Sequence, residues 1–191
     1  LSVSPPRSPN PLNDTFIQAG VECQIPRNDD FNGATQEGIG FYELTQDNGR
    51  RCSTAHAYLT PAKNRENLTI FKRSIAEKVM IENGRAIAVR AKIDGRAQII
   101  RANKEVILSC GAFQSPQLLL LSGIGPKSKL EEHKIDQVLE LPGVGENLTD
   151  HLDYSLIYES DSEYCLGRNA RSVFRVAMNQ LQYLIFKRGV M

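Results

Sequence analysis

The chain has 191 residues, enough for one or two domains with a buried core. With 41% hydrophobic and 24% charged residues it has an ordinary globular composition, and a formal net charge of +1 supplies no electrostatic footprint for nucleic acid or an anionic membrane. No apolar run reaches the roughly 18–20 residues of a membrane span, and residues 1–10 are too polar and proline-rich to read as a signal peptide.

Residues 1–13 hold four prolines and are expected to form an irregular loop. Leu12, Phe16, Ile17 and Ala19 recur at helical spacing around Asn13-Asp14-Thr15, which predicts a capped short helix over 12–23. Residues 27–40 are polar and glycine-rich, an exposed or ligand-facing loop. The run Asp47-Asn48-Gly49-Arg50-Arg51 is the strongest hairpin-turn signal in the chain and is framed by segments 39–45 and 53–58. Ala55 to Leu59 are good helix formers, so a short helix is expected there, ended by Pro61. A strand is expected at 67–72. Two more follow at 75–82 and 85–93, joined by Asn83-Gly84, with Val79, Ile81, Ile87, Val89 and Ala91 on the buried side. Asp94-Gly95 turns the chain again and 97–102 pairs back, completing a β-meander.

The most informative stretch runs from Lys104 to Pro126. Val106-Ile107-Leu108 reads as a buried central strand over 105–109, followed by the small residues Ser109-Cys110-Gly111-Ala112. Ser115 and Pro116 are an N-cap and first-position pair, which predicts a buried helix from Gln117 to Leu121, stopped by Gly123 and Gly125. Strand, small-residue turn and helix make half of a nucleotide-binding crossover, in which a ligand sits against backbone groups at the carboxyl end of the strand. Beyond it, 127–133 predicts an amphipathic helix with Leu130 inward, and 135–141 an edge strand. Gly143-Val144-Gly145-Glu146-Asn147-Leu148 imitates a dinucleotide fingerprint, but the third glycine is missing and the motif follows Pro142, so it is no phosphate loop. Weak alternation suggests a strand over 152–159, a polar loop occupies 160–169, and 171–187 is spaced as a long amphipathic helix. Its basic end is only Lys187-Arg188, which favours packing on a domain over lying on a membrane.

Cys23, Cys52, Cys110 and Cys165 form none of the close pairs of a zinc site or redox dithiol, so free thiols in a reducing, cytoplasmic setting are expected. The Asn-x-Thr sequons at Asn13, Asn67 and Asn147 would matter only in a secreted chain and are read as chance.

The run from Gly111 through Ser115-Pro116 and the leucine block to Ser122-Gly123-Ile124-Gly125-Pro126 resembles the second sequence signature of the glucose-methanol-choline family of FAD-dependent oxidoreductases, at nearly every fixed position. Two flanking stretches agree. Leu141-Pro142-Gly143 to Asp150-His151 is similar to the segment that follows this signature in choline and alcohol dehydrogenases, and Asp30 to Gly38 with Arg50 to Leu59 is similar to the one that precedes it. The resemblance covers residues 1–155. It implies a mixed α/β fold: part of an FAD-binding Rossmann-like domain with a β-meander, together with part of a substrate-binding domain. The expected division is 1–62 substrate domain and connecting loops, 63–151 FAD domain, and 152–191 the start of a further substrate-domain segment.

Carried over residue by residue, the resemblance implies that the backbone of Ala76, where the family usually has valine, contacts the adenine of FAD. Ser109 and Gly111 complete the expected cofactor-binding set. Phe31 and Gln36 are expected near the substrate cavity, and Asn147, Asp150 and His151 either hold their turn or line the cavity. His56 is not the base, because the family's reacting histidine lies in its C-terminal part. No catalytic, substrate-binding or metal-binding residue is assigned.

The family's chemistry also needs a glycine-rich pyrophosphate loop, a ribose-binding acid, a base histidine and a second histidine or asparagine. The resemblance places these outside residues 1–191. The expectation is therefore a central portion of a flavoenzyme that oxidises a primary alcohol, choline-like or other, to an aldehyde. Alone, it is expected to be inactive, cofactor-free and self-associating. A cofactor-free α/β binding or scaffolding domain, or one half of a split flavoenzyme, are the alternatives. An aromatic and acidic cage for a quaternary ammonium cannot be assembled from these residues.

Overall fold

The structure is a computed structural model and describes residues 1–152, 154, 155, 157, 160, 162, 164, 165 and 170–188. The chain divides into two compact units, one of Leu1–Leu68 with Leu156–Met191 and the other of Thr69–Ser155.

The second unit rests on turns that short-range sequence dictates. At Asn83-Gly84 both φ angles are positive, 50° and 74°, and at Asp94-Gly95 they are 47° and 83°. That left-handed pair matches the twist of the strands on either side. The turns join β3 (Ser74–Glu82), β4 (Arg85–Ile93) and β5 (Arg96–Arg101) into an antiparallel sheet of order β3-β4-β5. Two register shifts alter which residues face inward. Ala76 opposes Ala91 and Lys78 opposes Arg90, leaving Glu77 as an extra residue on β3, while Met80–Ala88 and Ile81–Ala86 leave Ile87 extra on β4. Strict alternation therefore fails. Of the expected inward set, Val79 and Ala91 are buried but Ile81, Ile87 and Val89 are only half-buried, while Ala88 and Ile93 join the core.

Two helices close the unit. α3 (Gly111–Leu121) packs on β3, and Leu118 on it is buried. α4 (Lys127–Glu132) buries Leu130, as its spacing predicts. Between them β6 (Ile124–Gly125) pairs in parallel with β7 (Leu139–Glu140), so the strand expected over 135–141 is only two residues long.

The central strand is the main correction. Residues 105–109 join no ladder among the described residues, and Ile107 is 77% exposed. An inner strand of a parallel sheet is held by neighbours on both edges, and the described residues of this unit offer none. The following helix also starts earlier than the Ser-Pro signal indicates. Gly111, at φ +84°, turns the chain directly into α3, the Cys110 amide donates to Ser115 Oγ at 3.0 Å from within the helix, and Pro116 lies inside it. Residues 67–72 likewise form no strand, since the meander's register begins at Ser74.

In the first unit, α1 (Pro11–Glu22) is capped by Asn10, whose Oδ1 accepts the Leu12 amide at 2.9 Å, and not by residues 13–15. Proline at the first helical position reinforces that start. The Asn48-Gly49 turn forms as expected, but its strands β1 (Gln46–Asp47) and β2 (Arg50–Arg51) are two residues each. The preceding segment instead makes isolated bridges, Ser4 with Leu44 and Arg27 with Ile39. Ala55–Leu59 is a single π-helical turn that runs into α2 (Thr60–Ala62), so Pro61 lies in a helical turn and does not end one. α5 (Ala170–Phe186) takes the place predicted for the long helix, yet only Ser172 on it is buried and Val173, Phe174, Leu181 and Leu184 are exposed. The strand and loop expected over 152–169 fall largely outside the described residues.

Leu130→Ala is expected to cost about 2–5 kcal/mol, the range for emptying a buried leucine site. Ile107→Ala, at an exposed site, should shift stability by no more than about 0.5 kcal/mol. Urea unfolding of both variants checks this, and a large Ile107 effect would restore the buried strand.

Candidate functional site: the cleft between β3 and α3

β3 is an edge strand: β4 covers one side of it, and the other faces α3. An edge strand carries amides and carbonyls with no strand to receive them. Ser122, fully buried at the end of α3, answers one of these needs. Its Oγ accepts the Val79 amide at 2.8 Å and donates back to the Leu118 carbonyl at 2.6 Å, so the hydroxyl satisfies a strand donor and is aimed by its own helix. Gly123, at φ +85°, then carries the chain out of the helix.

Further along the same edge the strand and helix part to leave a cleft of about 360 Å³, lined by Ser74, Ile75, Ala76, Cys110, Gln114, Gln117, Leu118 and Leu121. The ladder fixes how Ala76 meets it. Val79 lies opposite Val89, and its amide points away from β4, to Ser122. Ala91 is two residues from Val89 and turns its backbone the same way, towards β5, as Ile87 does in accepting the Ala102 amide at 2.8 Å. Ala76 opposes Ala91. Its amide and carbonyl are therefore presented on the outer edge of β3, on the side of the cleft. The extra residue at Glu77 is what keeps Ala76 and Val79 in phase, because three residues separate them and an unbulged strand would have turned Ala76 towards β4.

Of the three residues the sequence assigned to the cofactor, Ala76 thus lines the cleft, and Ser109 and Gly111 flank Cys110, which forms its opposite wall. A β-carbon built on Gly111 would meet nothing within 4 Å, so the glycine serves its positive φ. The remaining candidates are elsewhere. Phe31 stacks at 5.3 Å on Tyr42 in the first unit, and His56 is exposed, with its backbone amide on Ser53 Oγ. Asp150 accepts the amide of His151 at 2.8 Å. Asn147, at φ +55°, belongs to a second and more apolar groove of about 680 Å³, between α3 residues such as Phe113, Pro116 and Leu120 and the turn Gly143–Thr149. The Lys129–Glu146 ion pair, 2.7 Å, ties that turn to α4. Sequence reasoning did not single out Ser122. Its signal was a hydroxyl interrupting an otherwise apolar run, immediately before a helix-terminating glycine.

The described residues hold no group of three or more His, Cys, Asp or Glu side chains placed to bind a metal, and no helix among them is long and apolar enough to cross a membrane. In the first unit's loop the Asp29 carboxylate, hydrogen-bonded to Arg27 at 2.8 Å, raises that guanidinium above its ordinary value. Recognition at the cleft would fall to backbone groups and shape.

Residues 1–153 match the family model described as GMC oxidoreductase, and the chain belongs to that family. Over 149 residues it is 50% identical to an oxygen-dependent choline dehydrogenase of Photobacterium profundum, covering 78% of this chain and 26% of that protein. It is 41% identical over 191 residues to an alcohol dehydrogenase [acceptor] of Pseudomonas putida, covering 99% and 35%. Among solved structures, pyridoxine 4-oxidase from Mesorbium loti superposes with a TM-score of 0.68 at 30% identity, over 73% of this chain and 28% of that one. An FAD-dependent oxidoreductase from Chaetomium thermophilum superposes with a TM-score of 0.84 over 98% and 33%; at 24% identity it speaks for the fold alone. The fold is the mixed α/β arrangement of such flavoenzymes, and the chain spans roughly a third of the length of the curated relatives it matches.

Gly111→Ala should cost about 1–2 kcal/mol, the strain of a left-handed backbone alone. Gly123→Ala should cost more, because a β-carbon there would also lie 2.4 Å from the Asp136 carbonyl oxygen. Denaturant midpoints of the two variants give the comparison, and equal losses would show that the close approach at Gly123 relaxes freely.

Proposed function

We propose that this chain is the part of an FAD-dependent alcohol oxidoreductase that receives the adenine end of the cofactor, in an enzyme that oxidises a primary alcohol to an aldehyde. The observation that carries the reading is the outward-turned backbone of Ala76 across the cleft from Cys110. An adenine edge offers a donor and an acceptor, and a strand edge offers the complementary pair. Membership of the GMC oxidoreductase family and the names of the relatives support the same substrate class.

In this reading Ala76 binds through its amide and carbonyl, while Ser109 and Gly111 sit where the chain passes the cofactor. Bound FAD supplies the acceptor for a hydride from the alcohol carbon. The residues of this chain hold and orient it and exclude water from one side. Unit Thr69–Ser155 belongs to the cofactor domain, and Leu1–Leu68 with Leu156–Met191 to the substrate domain. Four free cysteines fit a reducing, cytoplasmic setting.

The absorbance spectrum and intact mass of the 191-residue chain give the first test. A colourless protein near 21.3 kDa is expected, with a flavin band only in the longer gene product, where an alcohol should bleach it. A reducible flavin at full occupancy on this chain would overturn its dependence on the rest. In the longer protein, Ala76→Val should leave FAD affinity within about threefold, and Ala76→Pro, which deletes the amide, should weaken it about tenfold, as for one hydrogen bond. Equal effects of the two would remove the backbone from recognition.

We also propose that the isolated chain self-associates, since Ile107, Phe113, Phe174 and Leu184 are each more than 60% exposed. Light scattering during size exclusion should give a mass that rises with concentration, and a constant monomer mass would refute this.

A further inference from the structure

We infer that Ser122 is a positioning residue for the cleft: through its two hydrogen bonds it sets how far β3 and α3 stand apart where Ala76 receives a ligand. The inference rests on the adenine reading above. It adds to that reading a residue that touches no ligand.

The argument is geometric. Ser122 is 0% exposed and absent from the cleft's lining, so nothing bound there reaches it. Yet it joins both walls. Its acceptor side holds β3 at Val79, and its donor side bonds back to Leu118 of its own helix, which lines the cleft, and so fixes where the hydroxyl points. The Val79 anchor is three residues from Ala76 on the same free edge of the strand. A hydroxyl at this place does two further things. It consumes the edge donor nearest the cleft, leaving Ala76 as the next outward-facing amide along β3. It also gives the buried Val79 amide a fixed partner at 2.8 Å on the helix end. No other side chain in the described second unit hydrogen-bonds across from α3 or its end to β3. Alanine would keep the apolar volume of the site and lose both bonds, so the walls would be free to slide. The effect at Ala76 would then be one of geometry, with every ligand-contacting atom still present.

The test uses the longer protein freed of its flavin, labelled with 15N on alanine and valine and titrated with adenosine 5′-monophosphate, read by amide chemical shifts. Wild type is expected to bind with a shift of the Ala76 amide, and Ser122→Ala to bind about tenfold more weakly with that shift reduced, as for the loss of about one hydrogen bond. The Val79 amide of the variant should exchange with solvent faster than in wild type. Ala88→Gly, also a core change on the meander but at a residue that lines no part of the cleft, controls for lost stability. It should bind as wild type does when the comparison is made well below both melting temperatures. Unchanged affinity in Ser122→Ala overturns the inference, and so does an equal loss in Ala88→Gly, which would make the effect one of stability alone. Failure of wild type to shift Ala76 at all would refute the adenine reading, and this inference with it.

Discussion

An edge strand brought against a helix end leaves a buried strand amide with no ladder to receive it. In this protein a buried hydroxyl meets that need: Ser122 Oγ takes the Val79 amide and is aimed by donating to the Leu118 carbonyl, which also accepts the Ser122 amide. Each buried group left unpaired would cost about 1–3 kcal/mol, comparable to the removal of several methylenes from the core. That hydroxyl joins α3 to the meander beside the buried Leu118, and beyond Val79 the strand and helix part to leave a gap. The gap is the cleft.

The parts of this fold that were legible from sequence are those decided within a few residues. Asn83-Gly84, Asp94-Gly95 and Asn48-Gly49 all adopt the paired left-handed turn, because the φ angles they permit belong to the residues themselves. Leu130 faces inward because a short helix has one apolar face. Where sequence reasoning failed, a distant partner or a competing local signal decided the outcome. Val106-Ile107-Leu108 has the composition of a buried strand, but a strand exists only where another strand receives it. Ser115-Pro116 is a sound helix start, overruled one turn earlier by Gly111. The inward pattern of β4 was misread at Ile87, since a bulge leaves no mark in hydrophobicity.

The candidate site was half legible. Ala76 and Gly111 were reached through the family resemblance; Ala76 lines the cleft and Gly111 follows its lining residue Cys110, yet nothing in their side chains announces a ligand. Their contribution is conformational: one exposes a backbone edge, the other admits a left-handed turn. Ser122 belongs to the same motif and passed unnoticed, because a small polar residue in an apolar run reads as packing until its partners are seen. Family membership rests on the match across residues 1–153, while the chain spans only about a third of its curated relatives.

The extra residue at Glu77 has a consequence for how this strand can change over time. If Ala76 recognises its ligand through main-chain atoms, the side chain at that position carries no information, and many letters there are synonymous. What the strand must conserve is phase. Loss of Glu77 would leave every neighbouring letter intact and rotate the amide and carbonyl of Ala76 from the open edge into the ladder. The site would be erased by a frame slip of one residue, and a comparison that scores letters position by position would see almost nothing missing.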